Sequence, residues 1–201
     1  MRVVVVENLT LDRVMQAPGR ADEDVRGGFQ HGGWGLPYYD PVAPRVMGER
    51  MQGEGALLLG RRTYLDLADV WPKRTNNPFT ERLNNSQKYV ASRTLKEPLP
   101  WMNSTLLEGD AAEAVARLKP KPGNLTIIGS GALAQSLMRR NLIDEYLLSS
   151  HPLVLGSGLR LFPDGVFWAL RLIESIPTTT GVVIATYQPG DMRPTSPVRL
   201  E

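Results

Sequence analysis

Residues 60–63 read Gly-Arg-Arg-Thr, directly after the apolar run Ala56–Leu59 and directly before a helical pattern. A helix N-terminus offers free N–H groups and the positive end of its dipole. Arginine adds a planar fork that matches phosphate oxygens. Gly60, Arg61, Arg62 and Thr63 therefore form a candidate phosphate grip, with a solvated arginine pair as an equally good reading of the four residues alone. A second corner is Gly129-Ser130-Gly131, followed by Ala132 and Leu133 at the start of another helical stretch. Small residues let a pyrophosphate approach the backbone, although this spacing is shorter than the dinucleotide fingerprint and a simple tight turn explains it as often. A third corner, Ser92-Arg93, follows the apolar residues Val90 and Ala91. By itself it reads as loop. Ligands of parallel α/β sheets bind beyond the carboxyl ends of the strands, so a parallel sheet brings all three corners to one edge. One extended anion could touch them all. A dinucleotide with a pyrophosphate and an extra ribose phosphate is such a ligand.

Other residues carry possible chemistry with plainer alternatives. Asp40 could donate a proton at a pocket mouth, but an aspartate before Pro41 reads more readily as a helix cap. Asp12 is either a substrate-facing carboxylate or a loop residue. His31, flanked by "QHGGW", is an exposed loop histidine or a substrate contact. Trp34 could stack on a planar heterocycle or anchor its own loop. His151, before Pro152, reads as a strand end. Gly156 and Gly158 read as chain turns.

The elements that must hold these residues follow from periodicity. Val3–Val6 is a continuous β-branched run, the pattern of a strand covered on both faces. Residues 16–41 are rich in glycine and aromatics and show no period. A loop this long is functional or disordered, and Phe29, Trp34, Tyr38 and Tyr39 argue against plain disorder. Helical spacing runs from Ala43 to Met51, with Pro44 in the first turn, and again from Tyr64 to Trp71. The prolines of "WPKRTNNPF" stop the second helix. Lys88–Ala91 and Thr105–Leu107 are short strands. Asp110 caps a helix, with Glu113 completing a capping-box variant. Leu125–Ile128 is a strand before the second corner, and Leu133, Ala134, Leu137 and Met138 mark the helix after it. "LIDEYLLSSHPLVLG" is strand-like. "WALRLIESIPTTTGVVIATYQ" reads as a hairpin turning near Gly181. Alternating strands and helices imply a mostly parallel sheet with helices on both faces. The expected domain is residues 1–190, with a fraying tail over 191–201.

Composition narrows the function. The chain of 201 residues suits one domain with a sizeable core. With 23 basic and 21 acidic residues the formal charge is only +2, and no basic run suits a nucleic-acid backbone. The absence of cysteine excludes disulfides, thiolate metal sites and thiol nucleophiles. With only two histidines, no metal cluster is expected. No apolar run approaches the roughly 18 residues of a membrane helix. The N-terminus is too short in apolar residues for a signal segment, and a cytoplasmic protein is expected.

The ordered set "ENLTLD", "LLLGRRTY", "KYVASRTL", "IIGSGALAQSL", "LIDEYLLSSHPLVLGSGLRLF" and "TGVVIATYQ" resembles the dihydrofolate-reductase-like family. That family includes the C-terminal reductase domain of the bifunctional riboflavin-biosynthesis deaminase-reductase. The likeness spans about residues 2–189, and stand-alone members with "GGFQHGGW" and "PYYD" in the long loop are the most similar. The resemblance implies an eight-stranded mixed sheet, NADPH as hydride donor, a small-molecule substrate and a homodimer. By matched position, Arg61, Arg62 and Thr63 would bind cofactor phosphates. Ser92 and Arg93 would flank the ribose 2′-phosphate. Gly129, Ser130, Gly131, Ala132 and Leu133 would wrap the pyrophosphate, and Asn8, Thr10 and Leu11 would lie beside the nicotinamide. Arg160 would approach a phosphorylated ribose.

Two departures limit what carries over. Arg13 follows Asp12 where the family often has glycine. Folate reductases place an acid inside the first helix, and "DPVAPRVMGERM" has no carboxylate at that point; Asp40 lies upstream and Glu49 a turn further on. The expected activity is therefore hydride transfer to a planar heterocycle or a ribosylaminopyrimidine-like substrate, not pterin reduction. The alternative is a nucleotide- or flavin-binding module without turnover.

Overall fold

The computed structural model describes residues 1–50, 54–75 and 77–191. Its strands are β1 (Arg2–Thr10), β2 (Gly55–Gly60), β3 (Gln87–Ala91), β4 (Ser104–Leu106), β5 (Asn124–Ile128), β6 (Glu145–His151), β7 (Leu170–Pro177) and β8 (Val183–Pro189). The α-helices among the described residues are α1 (Val42–Arg50), α2 (Arg61–Val70), α3 (Pro78–Asn85), α4 (Ala111–Leu118) and α5 (Gly131–Arg139). All the strands join one sheet in the order β4-β3-β2-β5-β1-β6-β8-β7. Neighbours from β4 to β6 pair in parallel, and β8 pairs antiparallel with both β6 and β7. The fold class is the expected one: a mixed, mostly parallel dihydrofolate-reductase-like sheet with a C-terminal antiparallel hairpin.

Alternation along the strands explains how both faces are filled. Val3, Val5, Leu58, Leu125, Ile127 and Leu148 share a core with Val115 and Leu118 of α4 and with Leu133, Ala134 and Leu137 of α5. The intervening residues Leu57, Leu59 and Val90 pack on Tyr64 of α2 and Leu83 of α3. Further along that second face, Leu147 and Ile184 meet Val46 of α1. The apolar stripes read from the sequence are the surfaces that hold the layers together.

Three boundaries differ from expectation. β1 runs past Val6 to Thr10 because Glu7, Asn8, Leu9 and Thr10 pair in register with Leu148, Ser149, Ser150 and His151 of β6. Tertiary pairing overrides the weak strand preference of glutamate and asparagine. The prolines after Trp71 do stop α2, but Pro78 also starts α3. Asn77 caps that helix, its Oδ1 accepting from the Phe79 amide at 2.9 Å, and proline suits the first helical position. The expected helix ending at Met51 runs Val42–Arg50, and Met51 lies outside the described residues, as does the tail over 192–201.

Lys88 was not singled out in the sequence, yet it is fully buried on β3. Its Nζ donates to the carbonyls of Asn84 (3.0 Å), Ser86 (2.7 Å) and Met102 (3.0 Å). It also lies 4.4 Å from the Trp101 ring centroid. A cation at a helix C-terminus satisfies orphan carbonyls, here those closing α3.

The long loop is ordered around its own small core of Val14, Ala17, Phe29 and Trp34. Gln16 is the buried knot at its centre. Its Nε2 donates to the carbonyls of Asp24 and Arg26, both at 3.0 Å, and its Oε1 accepts from Leu159 N–H at 2.9 Å. Two glycines permit contacts no other residue allows. A Cβ on Gly32 would lie 2.3 Å from the Ala21 carbonyl oxygen, and one on Gly158 would lie 2.7 Å from Val14 Cγ1.

Candidate functional site

The carboxyl ends of β3, β2, β5, β1 and β6 open on one rim, so the three corners lie side by side. The first two touch. Gly60 N–H donates to Ser130 Oγ at 2.9 Å, and Ser130 N–H donates to Thr63 Oγ1 at 3.1 Å. Gly129 sits at φ 58°, and a Cβ there would lie 3.1 Å from Thr63 Cγ2. Ser130 adopts the left-handed region at φ 61°, a conformation costly for a residue with a side chain. The third corner follows β3, whose Ala91 is in register with Gly60. There Ser92 Oγ accepts from the amides of Thr94 (3.1 Å) and Leu95 (3.0 Å).

Helix capping separates this rim from the rest of the molecule. The amide of Val42 in α1 donates to Asp40 Oδ1 at 2.7 Å. Helix α3 is capped by Asn77 and α4 by Asp110, whose Oδ1 accepts from Ala112 (3.0 Å) and Glu113 (3.1 Å). Helices α2 and α5 have no side-chain cap. The Gly60, Ser130 and Leu133 amides are bonded within the junction, which leaves the amides of Arg61, Arg62, Gly131 and Ala132 without a side-chain cap, and Arg61 and Arg62 are exposed beside them. Uncapped amides, positive dipole ends and two guanidinium groups are the chemistry an anion site uses, which makes this junction the candidate.

Beside this rim lies Asn8. It is exposed on the central strand β1, next to half-buried Val6, Ile128 and Ser149. Leu11 is 63% exposed at the strand exit. Thr10 is buried, and its hydroxyl is consumed: Oγ1 accepts from Val14 N–H at 2.9 Å and donates to Asp12 Oδ1 at 2.5 Å.

The long loop covers one side of the rim. Met15 rests on Gly131, where a Cβ would come within 2.6 Å of the Met15 sulfur. Arg20 Nη2 meets Asp66 Oδ1 of α2 at 2.5 Å. Within the loop, Trp34 is buried, and its Nε1 donates to the Gln16 carbonyl at 2.7 Å. Its ring stands edge-on to His151 at 5.0 Å, and Tyr38 does the same at 5.5 Å. His151 Nδ1 is 3.1 Å from the Ser149 carbonyl, and burial pushes its pKa down. This histidine clamps the loop as well as ending β6. His31 is exposed, edge-on to Phe29 at 5.7 Å.

The two carboxylates considered for catalysis are both heavily bonded. Asp40 Oδ2 accepts from Thr179 N–H at 2.8 Å and from the Thr179 hydroxyl, while Oδ1 caps α1. The Thr179 hydroxyl, then the Val42 and Thr179 amides, hold its pKa below the usual carboxylate value. Asp12 accepts from the amides of Gly156 (2.8 Å) and Leu155 (3.2 Å). Its pKa is lowered, first by the Thr10 hydroxyl. The two act as struts, one tying α1 to the β7–β8 turn and one tying β1 to the segment after β6. Arg160 donates through Nε to the Asp12 carbonyl at 3.2 Å, which places it beside this second strut. Glu49 is exposed on α1 and 3.9 Å from Arg45.

A partly open cavity of about 80 Å³ lies at the opposite end of β1, between Arg2, Val4, Met47, Arg50 and Glu145. Ligand pockets for nucleotide-sized molecules run to several hundred Å³. Its polar walls are also spent internally: Glu145 is held by Arg2 at 2.6 Å and by Arg50 at 3.4 Å. A larger, open hollow of about 260 Å³ lies along Gly55–Leu57 beside Arg82 and Ser86, also away from the carboxyl ends of the strands, so the rim is the candidate site on its chemistry. Among the described residues no group of acidic residues and histidines forms a metal site.

The model of the RibD C-terminal domain matches residues 2–184. The chain belongs to the RibD C-terminal domain family. It is 31% identical over 141 residues to the uncharacterized protein YyaP of Bacillus subtilis (strain 168), covering 65% of this chain and 72% of that protein. Solved structures agree on the fold. A Shewanella sp. PV-4 protein named for riboflavin biosynthesis superposes with a TM-score of 0.69 at 24% identity, covering 94% of this chain and 99% of that one. A pyrimidine reductase-like protein of Corynebacterium diphtheriae gives 0.66 at 9% identity, over 95% and 92% of the two chains. Dihydrofolate reductase from Enterococcus faecalis, complexed with NADP(H), gives 0.62 at 15% identity, over 94% and 97%. No helix among the described residues is long and apolar enough to cross a membrane.

Proposed function

We propose that this RibD-type chain is an NADPH-dependent reductase of a planar heterocycle or a ribosylaminopyrimidine-like substrate, acting in riboflavin-type chemistry. The carrying observation is the pair of uncapped helix N-termini, α2 and α5, that meet at the rim beside exposed Arg61 and Arg62. Family membership and the NADP(H)-bound fold relative support the same reading. The cofactor, when bound, supplies the hydride. The chain's part is to bind and orient. Amides of α2 and α5 and the two arginines would hold phosphates, with Ser92 and Arg93 at the outer ribose. The φ of Gly129 turns the backbone towards a diphosphate, which would displace Met15 from Gly131, and Asn8 lies where the nicotinamide and substrate would meet. Asp40 and Asp12 are tied into the frame, so we assign proton delivery to solvent at the rim. The loop around Trp34 excludes bulk water from one side.

Titration of the protein with NADPH and NADH tests this. NADPH should bind more tightly, and the double variant Arg61→Ala/Arg62→Ala should lose most of the difference. Equal affinity for both nucleotides would count decisively against the reading. One observation favours a second reading, a nucleotide-binding module without turnover: α1 carries no carboxylate facing the rim, since Asp40 is a strut and Glu49 pairs with Arg45. Failure to oxidise NADPH against pterin, pyrimidine and quinone panels would select it, and a yellow protein would select a flavin-binding variant. A homodimer belongs to the proposal, checked by light scattering.

A further inference from the structure

Glu7 is a carboxylic acid with no visible structural duty. It is 5% exposed on β1, and its Oε1 has no hydrogen-bond partner. Its side chain shares a face with Val5 and Leu9, both members of the α4–α5 core. β6 presents Leu148 in register, with Tyr146 and Ser150 on either side along the same face. From α5 the residues on this core are Leu133, Ala134, Leu137 and Met138, none titratable. Ala112 and Val115 of α4 and Leu161 and Phe162 of the segment after β6 also pack on this core, and so does the loop over 15–24. That loop brings Met15 onto the same core and Glu23, a like charge, towards the buried carboxyl. Behind Glu23 stand Arg20, paired to Asp66, and Asp22. Glu23 Oε2 accepts from the amides of Gly19 (2.6 Å) and Arg20 (3.1 Å), so it fixes the bend of that loop.

We propose that Glu7 is a proton-operated latch for the loop over 15–24, holding Met15 down on Gly131 when neutral and releasing the loop when ionised. The closed form is the one described here, with an apolar lining around a protonated acid. Burial pushes the Glu7 pKa well above the ordinary carboxylate value, and Glu23 adds to it. Tyr146, on that face, is itself pushed up to about 12 and stays neutral, and Tyr187 of β8 and Tyr89 of β3 also pack on this core. An ionised carboxylate without a partner is strongly disfavoured in such surroundings. Water must reach it. The strands and α5 are parts of the main core, whereas a loop opens at far lower cost. Opening uncovers the Gly129–Gly131 turn, so access to the anion site rises with pH. The inference concerns the loop alone and is read without any nucleotide.

The chain has no native cysteine, so Ala21→Cys gives a single attachment point for a spin label on an exposed loop residue. Between about pH 5 and about pH 9, label mobility should rise with one midpoint above the ordinary glutamate range. Adding Glu7→Gln, a neutral isostere, should abolish the transition and leave the label immobilised throughout. Adding Glu23→Gln should keep the transition but move its midpoint to lower pH, because the like charge is gone. This third variant decides the matter if Glu7→Gln does not fold. Mobility that ignores pH in the Ala21→Cys protein, a transition that survives Glu7→Gln, or a midpoint unmoved by Glu23→Gln would each overturn the proposal.

Discussion

Gly129→Ala isolates the contact that joins the two principal corners. Gly129 sits at φ 58°, and the new methyl would lie 3.1 Å from Thr63 Cγ2 and 3.2 Å from Thr63 Oγ1. Placing alanine in the left-handed region costs about 1–2 kcal/mol. The methyl must also push Thr63 aside, which removes the Ser130 N–H to Thr63 Oγ1 bond of 3.1 Å. Losing that bond adds about 1 kcal/mol. The total is about 2–3 kcal/mol. Gly109→Ala is the internal control. Gly109 has φ 74° and nothing within 4 Å of its would-be Cβ. It bears the backbone cost alone, about 1–2 kcal/mol. Urea unfolding of the three proteins, followed by circular dichroism, measures the difference. Gly129→Ala should be less stable than Gly109→Ala by about 1 kcal/mol. It should also bind NADPH more weakly, while Gly109→Ala binds as the parent does. Equal midpoints for the two variants would refute the claim that the corners are locked by direct contact.

Other perturbations test other parts of the frame. Trp34→Ala should destabilise the protein by about 3 kcal/mol, since a buried indole and its bond to Gln16 are lost; a loss below about 1 kcal/mol in a thermal melt would show that the loop is not anchored there. Asp40→Asn should flatten the acid limb of the stability curve. Its folded pKa lies below the unfolded value of 3.8, so its contribution is present above that value and vanishes as pH falls through the depressed folded pKa. Chemical denaturation across the acid range reads this directly. The pKa of His151 lies below its ordinary 6.5, so stability should also decline as pH falls from that value towards the folded one. His151→Phe should remove that part of the decline while keeping the aromatic cluster, and an unchanged curve would dismiss the clamp.

Much of the frame was legible in the sequence because it is local. The β-branched run at Val3, the apolar stretches at Ala56 and Leu125, and the helical stripe after Asp110 each announce an element through spacing and capping alone. The three rim corners were legible too, since each is a strand end followed at once by glycine, serine or arginine. What escaped depends on residues far apart in the chain. Glu7 lies beyond the β-branched run, and only pairing with β6 carries the strand through it and makes it a buried acid. Asp40 reads as a cap, but Thr179, on the distant hairpin turn, also grips it. Lys88 and Gln16 carry no local pattern at all, because the carbonyls they satisfy come from other elements.

The sequence by itself determined the alternation of strands and helices, and hence that small and cationic residues would gather at strand ends, since those follow from side-chain period and turn chemistry. Tertiary structure alone decided which of those ends touch, which carboxylates are consumed as struts and which helix N-termini stay uncapped. The reason is physical: a hydrogen-bond partner's identity is a property of distance in space, and spacing along the chain does not fix it.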